Sequence, residues 1–157
     1  MSKDFTYLEK FINEIDVVCP KCSKKAIVRS NPNNRARTQM ICLQCGTSKQ
    51  WEGESNIIMS STKFDLPGIL MGQPVDCYFQ LPLWFVTDFK EHQLFAYNLE
   101  HLKFLKNYIQ DPLRERKENE HGWSNRSLES RLPKWMLSAK NRESLLKKIK
   151  GLEAKSN

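Results

Sequence analysis

The sequence predicts an α+β protein. It opens with an N-terminal β-hairpin module held by paired cysteines, continues with a second, aromatic-rich β-hairpin and ends in helices. Three observations predict this. Two Cys-x-x-Cys pairs, Cys19-Pro-Lys-Cys22 and Cys42-Leu-Gln-Cys45-Gly46, flank a segment with strand and turn residues. Aromatic and β-branched side chains crowd residues 75–97. Apolar residues then recur at helical spacing after Asn98 and again from Leu145.

Taken in order, Phe5, Leu8, Ile12 and Ile15 recur at helical spacing behind Ser2, a competent cap, so residues 3–14 read as a short helix within an N-terminal segment 1–16. Residues 17–55 follow as the cysteine module. Lys25-Ala-Ile-Val-Arg29 reads as a strand, and Asn31-Pro-Asn-Asn34 as a turn, because Pro fixes φ and Asn tolerates the left-handed region. Arg37 to Cys42 returns as a second strand, and Ser48 to Glu52 can add a third. Residues 56–157 form the α+β region. Within 75–97, Pro74 and Pro82 restrict how far strands can lie inside a sheet, and Asp88 to Gln93 reads as the turn between two of them. Asn98 caps a helix that carries Leu99, Leu102, Leu105 and Ile109 inward, within a helical stretch 98–120 kinked at Asp111-Pro112. Glu118 to Ser124 breaks it. Ser127 and Pro133 open short helical segments, and Leu145, Leu146, Ile149 and Leu152 mark a final helix within 127–154.

The paired cysteines carry the chemistry. Zinc takes four soft ligands in a tetrahedron, and two short knuckles joined by a hairpin deliver Cys19, Cys22, Cys42 and Cys45 to one ion. Gly46 can take the positive φ that such a knuckle needs. The spacing therefore predicts a zinc ribbon over 17–55, with one structural Zn2+ as its cofactor. Two disulfides and a redox Cys-x-x-Cys are the competing readings. The matched pairs and the lack of an export signal at the N-terminus weigh against both. A site with four thiolates has no open position for substrate or water, so its part is to fold the module. The fifth cysteine, Cys77, reads as a small core residue.

Charge narrows the functional classes. The chain has 157 residues and a formal charge of +7. Four thiolates and one zinc ion would lower that to about +5. Residues 21–49 contain seven Lys or Arg and no acid, the middle of the chain is acidic, and the C-terminal part is basic again. No apolar run approaches the ~20 residues that span a bilayer. The expectation is a cytoplasmic protein with reduced thiols and no membrane partner.

Four pieces of sequence carry a resemblance. They are the two cysteine pairs, then Leu81-Pro-Leu-Trp84, then Ala96-Tyr-Asn-Leu-Glu-His-Leu102, then Ser130-Arg-Leu-Pro-Lys-Trp-Met136 with Ser138-Ala-Lys-Asn-Arg-Glu143. In consistent order across most of the chain, they resemble a family of small, uncharacterised bacterial proteins described as transcription-factor-IIB-type zinc-ribbon proteins. The resemblance implies a zinc ribbon of the kind used in transcription machinery, and it confers no activity. Where Cys77 and Gln80 stand, the family pattern leads one to expect Pro and Gly.

Candidate partners follow from the cations. Lys24, Lys25, Arg29, Arg35 and Arg37 surround the first knuckle and the hairpin turn, and Arg pairs with phosphate through a planar fork. Solvated charge around a metal site is the other reading. Lys147, Lys148 and Lys150 on the last helix can extend a DNA or RNA footprint, or simply form its solvated face. Trp123 and Trp135 can stack on bases or pack in a core. Leu81-Pro-Leu-Trp84 can line a groove for a protein partner or belong to the core. The carboxylate–imidazole neighbours at Glu91-His92, Glu100-His101 and Glu120-His121 define no shared site, because adjacent side chains diverge. His101 reads as a structural hydrogen-bonding group. No Gly-rich phosphate loop, His-Glu-x-x-His or nucleophile triad is present. The expected function is a non-enzymatic nucleic-acid-binding accessory factor in transcription or replication. The alternative is a zinc-stabilised protein-interaction adaptor.

Overall fold

The computed structural model describes residues 11–31, 33–51, 74–110 and 132–156, with the side chains of Arg35 and Ala36 outside that description. Four antiparallel strands run in sequence order through the first sheet: β1 (Glu14–Val18), β2 (Lys25–Asn31), β3 (Asn34–Ile41) and β4 (Ser48–Gln50). Strand alternation gives this sheet two chemically different faces. Ile15, Val17, Ala26, Val28 and Met40 are buried on the inner face, where Ile15 pairs with Val28 and Val28 with Met40. The outer face sets Ile27 opposite Asp16 and Ile41, and Arg29 opposite Glu14 and Gln39.

The predicted hairpin is therefore present, and β1 is its addition. A helix was expected over residues 3–14. Residues 3–10 lie outside the described residues, 11–13 form a turn, and Glu14 opens a strand. The β-branched Ile15, Val17 and Val18 favour an extended chain, and pairing with β2 buries Ile15 and Val17 together. That gain outweighs the helical spacing of Ile12 and Ile15. At the hairpin turn the Asn31 carboxamide oxygen accepts the Asn33 amide at 2.8 Å, the local bond that suits Asn to turns.

A second, two-stranded sheet pairs β5 (Phe85–Phe89) with β6 (His92–Ala96). Only Lys90 and Glu91 separate these strands, so the turn is tighter than the six residues expected. Lys90 adopts a left-handed φ of 52° there. Helix α1 (Leu99–Gln110) follows with His101, Leu102, Leu105 and Ile109 buried. Asn98 caps it as expected: its side-chain oxygen accepts the His101 amide at 2.8 Å. The same carboxamide donates to the carbonyls of Phe11 and Glu14, at 3.0 and 2.8 Å. One side chain thus starts the helix and clamps the entry to β1.

Helices α2 (Lys134–Leu137) and α3 (Arg142–Glu153), joined by a 3-10 turn over Ala139–Asn141, close the second core. Leu145, Ile149 and Leu152 of α3 pack with Phe85, Phe89, Leu94, Leu102 and Leu105. Trp135 stacks on His92 at 4.6 Å and on Phe89 at 5.6 Å between ring centroids, so it packs against the hairpin. The expected extensions over 111–120 and 127–131, and Trp123, lie outside the described residues. So does the expected break at 118–124.

The two sheets are sewn along β1. The Asp16 amide donates to the Tyr97 carbonyl at 2.7 Å, and the Asp16 carbonyl accepts the Trp84 amide at 2.9 Å. The Val18 amide donates to the Pro82 carbonyl at 2.9 Å. These bonds satisfy what would otherwise be an open edge, which is how β1 avoids templating a foreign strand.

Candidate metal centre

Each cysteine pair sits in a six-residue turn, and the two turns are copies of one another. The Cys19 amide donates to the Lys24 carbonyl, and the Ser23 amide to the Cys19 carbonyl. In the second turn the Cys42 amide donates to the Thr47 carbonyl, and the Gly46 amide to the Cys42 carbonyl. Closing this double ring requires a left-handed residue at the fifth position. Ser23 takes φ 62° and Gly46 takes φ 77° there. The expectation for Gly46 holds; Ser23 fills the matching place without the freedom of glycine.

The turns deliver four sulfurs to one point. Their Sγ atoms all lie within 4.8 Å of one another. Cys19 and Cys45 approach to 3.7 Å, and Cys22 and Cys42 to 3.6 Å. Thiolates bound about 2.3 Å from a tetrahedral centre have edges of about 3.8 Å, so the cluster has the dimensions of a metal cage. A disulfide sulfur pair sits at about 2 Å, which none of these contacts approaches. Backbone amides point at the sulfurs, with the Lys21 N–H reaching Cys19 Sγ at 3.4 Å.

Electrostatics agree with that geometry. The Cys22 amide pulls the Cys19 thiol below its ordinary value. The Thr47 hydroxyl and amide pull Cys45 down to about 6. At Cys22 the Lys24 amide favours the thiolate, but burial and three neighbouring thiols outweigh it and push the group up to about 12. Four sulfurs this close cannot all ionise on their own account. A divalent cation supplies the charge that lets them do so. The residues are arranged to hold one metal ion, and a closed set of four thiolates suits zinc.

A third turn repeats the backbone of the first two without cysteine at either ligand position. The Asp76 amide donates to the Leu81 carbonyl at 2.9 Å, the Gln80 amide to the Asp76 carbonyl at 3.1 Å, and Gln80 is left-handed at φ 56°. Here the buried Asp76 carboxylate receives the amides that a metal knuckle aims at its sulfurs. Oδ1 accepts from Tyr78 and Phe79 at 2.9 and 2.7 Å, and Oδ2 from Leu81 at 2.6 Å. Burial pushes the carboxyl up from its ordinary value while these three donors pull it back. The turn docks on the inner face of the first sheet: Tyr78 Oη bonds Ser30 Oγ at 3.0 Å, and the Tyr78 ring meets Trp51 edge-on at 5.0 Å. Cys77 is buried in the same core, as expected, and lies outside the four-sulfur cluster.

Of the candidate cations, strand parity places Lys25 and Arg29 on the outer face of the first sheet, and Arg37 is exposed on β3 where its register with β2 shifts. Arg29 faces Glu14 at 3.9 Å, a contact too exposed to hold it firmly. Lys24 is exposed beside the first knuckle, and Lys25 Nζ donates to the Ser156 carbonyl at 2.8 Å. The side chain of Arg35 lies outside the described residues. Lys147, Lys148 and Lys150 are exposed on α3.

Lys24 and Lys25 line a shallow cleft of about 270 Å³ together with Ile27, Ile41, Leu43, Gln44 and Trp84. Sequence reasoning singled out Trp84 but missed the Ile27–Ile41 floor and Leu43, which is 78% exposed. The signal for the floor was the shared parity of Lys25, Ile27 and Arg29. The third turn was legible too, had Asp76 to Leu81 been aligned under Cys19 to Lys24.

Comparison with protein-family models, with curated proteins and with solved structures finds no match for this chain.

Proposed function

We propose that this chain is a zinc-stabilised, non-enzymatic nucleic-acid-binding protein that serves as an accessory factor in transcription or replication. The observation that carries the reading is the common outer face of Lys25 and Arg29 on β2, with Lys24 exposed beside it and Arg37 exposed on the neighbouring β3. A zinc ion held by Cys19, Cys22, Cys42 and Cys45 fixes the hairpin that displays these cations. Each phosphate they neutralise releases counterions, so affinity should fall steeply with salt. The test is fluorescence anisotropy of zinc-loaded protein with labelled DNA and RNA across a salt series. Three or four phosphate contacts predict a log–log slope of about −3, and Arg37→Glu should flatten it by about one phosphate. A flat salt response, or no binding at low salt, overturns the reading.

The exposed Leu43 favours a second reading, in which the same face docks an acidic protein. A partner recovered in stoichiometric amount after nuclease treatment, with no affinity for nucleic acid, would establish that reading instead.

A further inference from the structure

We infer that the cleft between the two knuckles and Trp84 seats an unpaired nucleobase, so that the ribbon prefers single-stranded nucleic acid. This rests on the nucleic-acid reading above and adds where and in what form the ligand is held.

Four features of the cleft support it. Its floor is the cross-strand pair Ile27 and Ile41 on the solvent side of the sheet, where polar residues are the ordinary occupants. One wall is the indole of Trp84. That ring is already fixed: its Nε1–H donates to the Lys155 carbonyl at 2.7 Å, and Lys155 Nζ sits 4.8 Å from its centroid. A pre-set aromatic wall loses little freedom when a ligand arrives. The other wall is Leu43, projecting from the second knuckle.

The rim is cationic. Lys24 and Lys25 line the cleft, Lys155 lies over Trp84, and no acid is among the lining residues. Asp16 neighbours Ile27 in the sheet but is buried and does not line the cleft. A volume of about 270 Å³ falls below the range of cofactor pockets and suits one planar ring system. Single-stranded nucleic acid is the anionic polymer that presents a flat apolar ring beside each phosphate. A duplex buries its rings and offers only phosphates. An acidic peptide offers charge without the ring.

The experiment compares four labelled probes by anisotropy, using the zinc-loaded chain of 157 residues. They are an oligodeoxythymidine, the same-length oligomer lacking bases, a duplex, and a polyglutamate peptide. The base-containing single strand should bind about tenfold tighter than the abasic one. Lys24→Glu combined with Leu43→Ser, both exposed side chains, should abolish that difference while zinc content stays unchanged. Lys148→Glu on α3 should leave the difference intact. Equal affinity for base-containing and abasic strands, or a preference unaffected by the double variant, overturns the inference and leaves the phosphate reading standing. Tight binding of polyglutamate alone overturns both.

Discussion

Among single residues, His101 has the clearest chemical signature. It is buried between Phe11 and Tyr97, with ring centroids at 4.7 and 5.5 Å, and its Nδ1 accepts the Tyr97 amide at 3.0 Å. That bond requires a neutral ring, and burial lowers the pKa from 6.5 to about 3. The unfolded chain therefore takes up the proton first. Stability is full above pH 6.5 and is lost as pH falls towards about 3, by up to about 1.4 kcal/mol per pH unit. Asp16 acts in the opposite sense. Burial raises its pKa from 3.8 to about 6, against the pull of Lys25, so its contribution falls as pH rises through that window. Asp16→Asn should consequently steepen the loss of stability between pH 6 and 3.8, measured by urea unfolding in zinc-containing buffer. By NMR, His101 should stay neutral throughout the mildly acidic range; an imidazolium signal there would contradict its packing. The left-handed turn residues supply a second test. A Cβ on Gly46 meets nothing within 4 Å, so Gly46→Ala carries only the backbone penalty of φ 77°, about 1 kcal/mol. Gln80→Gly should move the other way and stabilise by about 0.5–1 kcal/mol, with thermal unfolding as the readout.

At the scale of elements, three turns share one hydrogen-bond frame and differ in what fills it. Two present their amides to sulfurs arranged to hold a metal ion; the third presents them to a carboxylate. Asp76→Asn preserves shape but sets an amide group against a backbone N–H, so it should cost about 2–3 kcal/mol. Zinc content, measured by elemental analysis, should be untouched by that change. Cys42→Ser should release the metal, whereas Cys77→Ser should retain it; metal loss in the Cys77 variant would mean that the ligand set is different. The sequence disclosed the two cysteine turns because ligand chemistry restricts their composition. It disclosed Asn98 as a cap and Leu102, Leu105 and Ile109 as a buried stripe, because both signals are local. What it hid depends on partners distant in the chain. The strand at Glu14–Val18 exists because β2 and the Pro82–Trp84 segment pair with its two sides. The cleft exists because Lys24, Ile41 and Trp84 converge from three elements. The third turn was masked by having Asp76 and Phe79 at the positions where a knuckle carries cysteine.

For the molecule as a whole, the question is whether the metal module and the helical core are separable. Each has its own cluster of buried residues, one around Ile15, Val28, Met40 and Tyr78 and the other around Phe85, Leu102, Leu105 and Ile149. Phe104 packs against both. Backbone bonds also cross the seam between them: Asp16 bonds Tyr97 and Trp84, and Val18 bonds Pro82. At the C-terminal end Lys25 holds the Ser156 carbonyl, while Trp84 and Lys155 exchange a pair of hydrogen bonds at 2.7 and 3.0 Å. If metal loss freed β2 and the first knuckle, β1 would lose its partner, and β5 would lose the strand that orders its approach through Trp84. Chelation should therefore destabilise the whole described fold rather than melt the ribbon alone. Among the described residues, far-UV dichroism follows chiefly α1 and α3, while tryptophan fluorescence follows Trp51 in the first core, Trp84 at the seam and Trp135 in the second core. The two denaturation curves should coincide with metal bound, and shift together to lower denaturant after chelation, as a two-state unit requires. A helical signal that keeps its original midpoint after metal removal would instead mean that the hairpin-and-helix core stands alone and the ribbon is an appendage to it.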